Sequence, residues 1–251
     1  MVLSIHLKIP DGPPVPLNRN EPMSILLPGF VQSILRTFGK TGDAVGRPRV
    51  PPNANMAGGY VFIHIPKTAG TSMCEALGLP ETTHATASEF RDMLGSQYDQ
   101  LYSFAFTRNP WDRFLSLYLY ARMEESHHHS ARHPRRKRYG RHPDYKTLRT
   151  ASLQDAARLL LDGKLGFHWL PQHRWVCDEN DRVICNFVGR LESLDADWPQ
   201  IAARTKAAAS MPRKNVANVE KIPYQQRIDD KTKSLLDEYY RRDIELFGYR
   251  F

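Results

Sequence analysis

Apolar residues fall in short dense runs separated by polar turns. Residues 60–65, YVFIHI, are rich in β-branched and aromatic side chains, which predicts a buried strand. Pro66 ends its ladder, because proline has no N–H to donate. After Ser72 the apolar spacing becomes helical through Met73 and Leu77, and Gly78 is placed to stop the helix. Residues 103–107, SFAFT, read as a second buried strand. Asn109 and Pro110 then supply an N-cap and a first-turn proline for a helix with Trp111, Leu115 and Tyr118 as its core stripe. Residues 183–188, VICNFV, predict a further strand. More helices are expected over 89–94, from Ser152 to Gly163, from Asp195 or Asp197 through Ala209, and as one long element from Asp229 or Asp230 to Gly248. Strands followed by turns and helices predict an α/β protein with a P-loop-like three-layer fold, its central, mainly parallel sheet flanked by helices.

Two stretches break this pattern. Residues 1–57 form a Pro/Gly-rich extension and linker, with one short amphipathic helix expected after Pro28. Residues 126–149 are polar and basic without a period, which predicts a long loop inserted in the domain that spans 58–251.

The totals narrow the class without fixing it. With 251 residues, 41% hydrophobic and 25% charged, the chain suits one α/β domain with an extension. A net charge of +8 points to an anionic partner: a nucleotide, an acidic glycan, nucleic acid or an anionic membrane surface. Cys74, Cys177 and Cys185 are odd in number and lack metal-ligand spacing. They read as reduced core thiols, with a Cys177–Cys185 meeting across a turn as the alternative. No stretch reaches the ~18 apolar residues of a membrane span. Lys8, Pro10 and Asp11 interrupt any signal-like core, so the expected location is cytoplasmic.

Candidate chemistry concentrates in residues 66–72, PKTAGTS, with one cation and three hydroxyls between a strand and a helix. Backbone N–H groups and a helix N-terminus there make an anion site, and phosphate is the expected anion. It is not the GxxxxGK[ST] loop, since Lys67 stands four residues before Thr71 and no lysine separates Gly70 from Thr71. Gly39-Lys40-Thr41 lacks a preceding strand and reads as coincidence. A guanidinium and a hydroxyl, Arg108 and Ser116, follow the second strand, where open parallel sheets collect ligands.

HIPKTAGTS resembles the 5′-phosphosulfate loop of sulfotransferases that use 3′-phosphoadenosine 5′-phosphosulfate (PAPS), in the form found in the carbohydrate branch. RNPWDRFLS resembles their 3′-phosphate motif, R-(N/D)-P-x-x-R-x-x-S, and the blocks PQHRWVCDENDRVICNFVGRLESLDADW and DIELFGYRF look familial too. The resemblance implies that Thr68, Ala69, Gly70, Thr71 and Ser72 hold the 5′-phosphate while Lys67 also meets the bridging oxygen as a catalytic cation. It implies Arg108 and Ser116 at the 3′-phosphate, PAPS as donor, PAP (3′-phosphoadenosine 5′-phosphate) as product, and no metal. The acceptor it implies is a hydroxyl of a carbohydrate or glycosylated metabolite, an acidic one included. Arg113 in the same motif reads first as a salt-bridge residue. Related 2-O-type enzymes use a histidine between the two motifs as base, which points to His84. Glu81, Glu89, His168 and His173 are its rivals, since another branch uses glutamate. His64 reads as a core residue of the strand. Residues 213–215, Arg-Lys-Asn, either close over the nucleotide or form a solvated loop.

Two other classes stand beside this reading. An ATP-dependent kinase-like P-loop protein lacks support from a GK[ST] step or an acidic metal ligand. A non-catalytic polyanion binder rests on the basic run from Arg132 to Arg141. Nucleic acid ranks last as a partner, because only Tyr139 interleaves that run. His127, His128 and His129 lack the acidic or cysteine partners of a metal site.

Overall fold

The computed structural model describes residues 50–80, 83–124, 141–208, 210–211 and 222–251. The amphipathic helix expected after Pro28, Glu81, the run of histidines at 127–129, most of the basic insert and residues 213–215 lie outside the described residues.

Four strands form one sheet in the order β1 (Ala54–Asn55), β2 (Tyr60–Ile63), β3 (Tyr102–Thr107), β4 (Phe187–Arg190). β1 is an antiparallel edge on β2, while β2–β3 and β3–β4 are parallel, with Ile63 opposite Ala105 and Thr107 opposite Arg190. Seven helices of seven residues or more accompany it among the described residues. They are α1 (Gly70–Ala76), α2 (Ala87–Leu94), α3 (Pro110–Ala121), α4 (Leu153–Leu161), α5 (Leu194–Thr205), α6 (Asp230–Tyr239) and α7 (Arg241–Phe247).

Strand alternation sorts the side chains into two cores, one on each face of the sheet. Tyr60, Phe62, Phe104, Phe106 and Phe187 pack with Met73 and Cys74 of α1 and with Trp198 and Ile201 of α5. Val61, Ile63 and Ala105 face the larger core, with Phe90 of α2, Phe114 of α3, Leu160 of α4 and Leu236 of α6. Helices therefore cover both faces, which is the three-layer α/β arrangement that the alternating pattern predicts. Gly189 lets β4 approach β3, since a Cβ there would lie 2.5 Å from the Phe106 ring.

The caps explain where the helices start. Asn109 accepts from the N–H groups of Trp111 and Asp112 at 3.2 Å, with Pro110 in the first turn of α3. Ser152 and Asp155 form a capping box on α4, and Asp229 caps α6 through Thr232 N.

Two expectations shift and a third holds. The strand expected over 183–188 is β4 at Phe187–Arg190, and Val183 makes only an isolated bridge with Cys177. Asn186 explains the late start: its Oδ1 accepts from the N–H and hydroxyl of Ser103 just ahead of the ladder. The long C-terminal helix divides at Tyr240, whose side chain is buried and donates to Trp169 O. Cys177 and Cys185 are free and buried, so the thiol reading holds and the pairing alternative does not. Burial pushes the Cys177 thiol up to about 12.

Candidate active site

The sheet sets the site's frame. β2 and β3 run parallel side by side, so residues 64–72 and Arg108 leave the same end of the sheet on neighbouring strands. β2 stops at Ile63, earlier than the apolar run, and the chain then turns through two left-handed residues, Lys67 (φ 68°) and Ala69 (φ 63°). Thr68 between them is buried, its hydroxyl donating to Ile65 O at 2.9 Å. Ala69 occupies the N-cap of α1 and has no side chain to offer the first amides, unlike Thr86, Asn109, Ser152 and Asp229 at other helices. The N–H groups of Gly70, Thr71 and Ser72 thus open a helix without a side-chain cap. Gly70 is required here, because a Cβ would lie 1.7 Å from His64 Nε2.

Two cations meet over this turn. Arg108 donates from Nη1 to Lys67 O at 3.1 Å and from Nε to Asp112 Oδ2 at 2.8 Å. The Lys67 ammonium lies 4.4 Å from the centroid of the Tyr120 ring. Burial, and then the charge of Arg108, bring the Lys67 amine down to about 8. Asp112, Ser116 and Tyr120 follow one another at four-residue spacing along α3, so they share one face. Asp112 meets Arg108 at one end of that row and Tyr120 meets Lys67 at the other, with half-buried Ser116 between.

Arg108 is held from behind. Gln172, fully buried, accepts from Arg108 N at 2.8 Å and donates to Arg108 O at 2.7 Å. Buried Asp243 fixes that segment by accepting from Gln172 N at 2.6 Å and from the N and Nδ1 of His173 at 2.8 Å each.

Arg113 overturns its salt-bridge expectation. It is fully buried, and among the described residues it forms no ion pair. Its guanidinium donates to three carbonyls: Pro66 at 3.0 Å, Leu170 at 3.0 Å and His168 at 2.8 Å. The planar fork reaches three acceptors at once, which ties the turn to residues 168–170.

A group of histidines lines the other side. His84 Nδ1 lies 2.8 Å from His64 O, and a carbonyl only accepts, so Nδ1 carries the proton and Nε2 is the basic nitrogen. The His84 ring sits 4.4 Å from His64, 5.5 Å from His168 and 6.3 Å from Phe167, centroid to centroid. His168 in turn lies 4.9 Å from buried His142.

The rival bases part company. Glu89 accepts from Thr86 N at 2.7 Å in the capping box of α2, so it serves the helix. His173 belongs to the Asp243 support, and of the rivals among the described residues only His168 joins His84. His64 stands just past β2 rather than inside it, half-buried and stacked on Phe62.

A sulfotransferase-family model matches residues 56–250. The chain belongs to the sulfotransferase family. No curated protein and no solved structure matches it significantly. The family carries sulfuryl transfer as its general chemistry, and the mixed α/β sheet flanked by helices agrees with its fold.

In this sulfotransferase the structure thus brings Lys67, Thr68, Ala69, Gly70, Thr71 and Ser72 into one turn, with Arg108 against it and Ser116 on the facing helix. Gln172, Asp243, Tyr120 and His142 are the participants that sequence reasoning missed. The four-residue spacing from Asp112 to Ser116 to Tyr120 was a readable signal for one of them. Gln172 and Asp243 act across 64 and 71 positions, which no local pattern reports.

Proposed function

We propose that the protein transfers a sulfuryl group from PAPS to a hydroxyl of a carbohydrate or glycosylated metabolite, releasing PAP. The observation that carries this reading is the pairing of Lys67 with Arg108, two cations at the ends of adjacent parallel strands joined by the Lys67 carbonyl. A donor phosphorylated at both the 5′ and 3′ positions needs two separate cationic anchors, and a row on α3 runs between these two.

The residues divide the work. The turn's amides and the hydroxyls of Thr71 and Ser72 receive the 5′-phosphate, while Arg108 and Ser116 receive the 3′-phosphate. His84 takes the acceptor's proton at Nε2 as the hydroxyl oxygen attacks sulfur. The bond from sulfur to the bridging phosphate oxygen breaks, and its electron pair stays on that oxygen. Lys67 meets the charge that grows there, in a half-buried site where the interaction is weakly screened. Phe167 and His168, both half-buried beside His84, offer ring faces to the apolar side of a sugar.

Calorimetric titration with PAP, beside ADP and ATP with magnesium, tests the donor. Tight binding of PAP that Arg108→Ala weakens is the expected result. Preference for ATP, or binding of neither, overturns the reading.

A further inference from the structure

Lys67 is an unusual place for a cation to rest. Its backbone is left-handed, the side chain is half-buried, and the Arg108 guanidinium bonds to its own carbonyl. Burial and a neighbouring like charge both favour the neutral amine. Opposing them is the face of Tyr120, 4.4 Å from Nζ and close enough for the ring quadrupole to attract an ammonium.

Tyr120 is not a loose surface ring. It ends the row on α3 that includes Asp112 and Ser116, and its edge-to-face partner is His142 at 5.9 Å and 81°. His142 is 3% exposed and packs on His168, so the ring is backed by buried structure. Among the described residues, the charged and titratable groups tied to Lys67, its turn or the Tyr120 ring include Arg108 past β3, Asp112 bonded to Arg108, His142 and His168 behind the ring, and Arg113 bonded to Pro66 O.

We propose that Tyr120 is a positioning residue for Lys67, its ring face berthing the ammonium and keeping it charged in the ligand-free enzyme. This inference rests on the reading of Lys67 as the catalytic cation. The ring's attraction is selective for the protonated form, so removing it makes the amine lose its proton at lower pH.

The test compares Tyr120 with Tyr120→Phe, Tyr120→Leu and Tyr120→trifluorophenylalanine, the last keeping ring shape while draining the negative face. Two quantities are read: the alkaline limb of kcat/KM for the donor, which reports the free enzyme, and the pH dependence of Lys67 labelling by an amine-reactive probe. Tyr120→Phe should leave both titrations in place. Tyr120→Leu and the fluorinated ring should move both to lower pH by roughly half to one and a half units. Titrations that stay fixed under fluorination overturn the proposal, and the fluorinated ring decides the matter if Tyr120→Leu does not fold. Lys67→Ala separates the two ideas: an active Lys67→Ala enzyme overturns the catalytic reading, whereas the labelling titration still judges the berth.

Discussion

Gln172 is hydrogen-bonded to both backbone groups of Arg108, accepting from its N–H at 2.8 Å and donating to its carbonyl at 2.7 Å. An amide side chain is needed for this, because one end must accept and the other donate. The segment carrying Gln172 is anchored by Asp243, so the direction in which Arg108 leaves β3 is set from α7.

Gln172→Glu keeps the shape and the acceptor but loses the donor, leaving two oxygens face to face. The predicted effect is on discrimination rather than on the fold alone. PAP affinity should fall roughly tenfold, by about 1.4 kcal/mol, while ADP affinity, which involves no 3′-phosphate, changes little. Titration of both ligands checks this, and an unchanged PAP-to-ADP ratio would count against Arg108 as the 3′-phosphate anchor.

Lys67 gives a prediction in protons. Its amine titrates at about 8 in the ligand-free protein, below the ordinary lysine value of 10.5. Between those two values the unfolded chain binds more protons than the folded one, so this group's contribution to stability rises with pH across that window and is lost as pH falls through about 8. An anionic ligand reverses the shift by favouring the cation. PAP binding near about pH 9 should therefore take up close to one proton, and at about pH 7 almost none. Calorimetry in buffers of different ionisation enthalpy measures the difference, and equal proton release or none at both values would remove Lys67 from the anion site.

For His84, turnover and binding should separate. His84→Ala should lower turnover by roughly 10²–10⁴ while PAP affinity stays within a few-fold of the parent. Steady-state rates beside PAP titration decide it. Full turnover would pass the base role to His168, whose ring lies 5.5 Å from that of His84.

Arg113 predicts a stability effect that charge alone would not. Arg113→Met strands three carbonyls that the guanidinium now satisfies, and the loss should be roughly 3 kcal/mol, or about 10 °C in Tm. Arg113→Lys should rescue little, because one ammonium on a flexible stem does not span Pro66, His168 and Leu170 together. Thermal melts of the two variants compare the outcomes, and a full rescue by lysine would show that only the charge matters.

The elements that sequence made legible are those whose causes are local. Asn109 and Pro110 announced α3, Ser152 announced α4, and the β-branched and aromatic run at residues 60–65 announced β2, which ends at Ile63. The turn at residues 66–72 was readable because its residue types are unusual together. Less legible were contacts that close over distance. The start of β4 depends on Asn186 meeting Ser103, and the true partners of Arg113 are backbone carbonyls, which carry no signature in a string of side chains. His84 was legible as a position, but its basic nitrogen became defined only when His64 O appeared beside Nδ1.

Ala69 at the head of α1 has a wider consequence. Where α2, α3, α4 and α6 bring their own oxygen to the first amides, this one begins with a methyl group. On the proposed reading, the donor's 5′-phosphate completes this turn, and the chain does not encode it. The protein should thus be most rigid while engaged, with its resistance to heat and proteolysis rising and falling with the supply of the anion that finishes the turn.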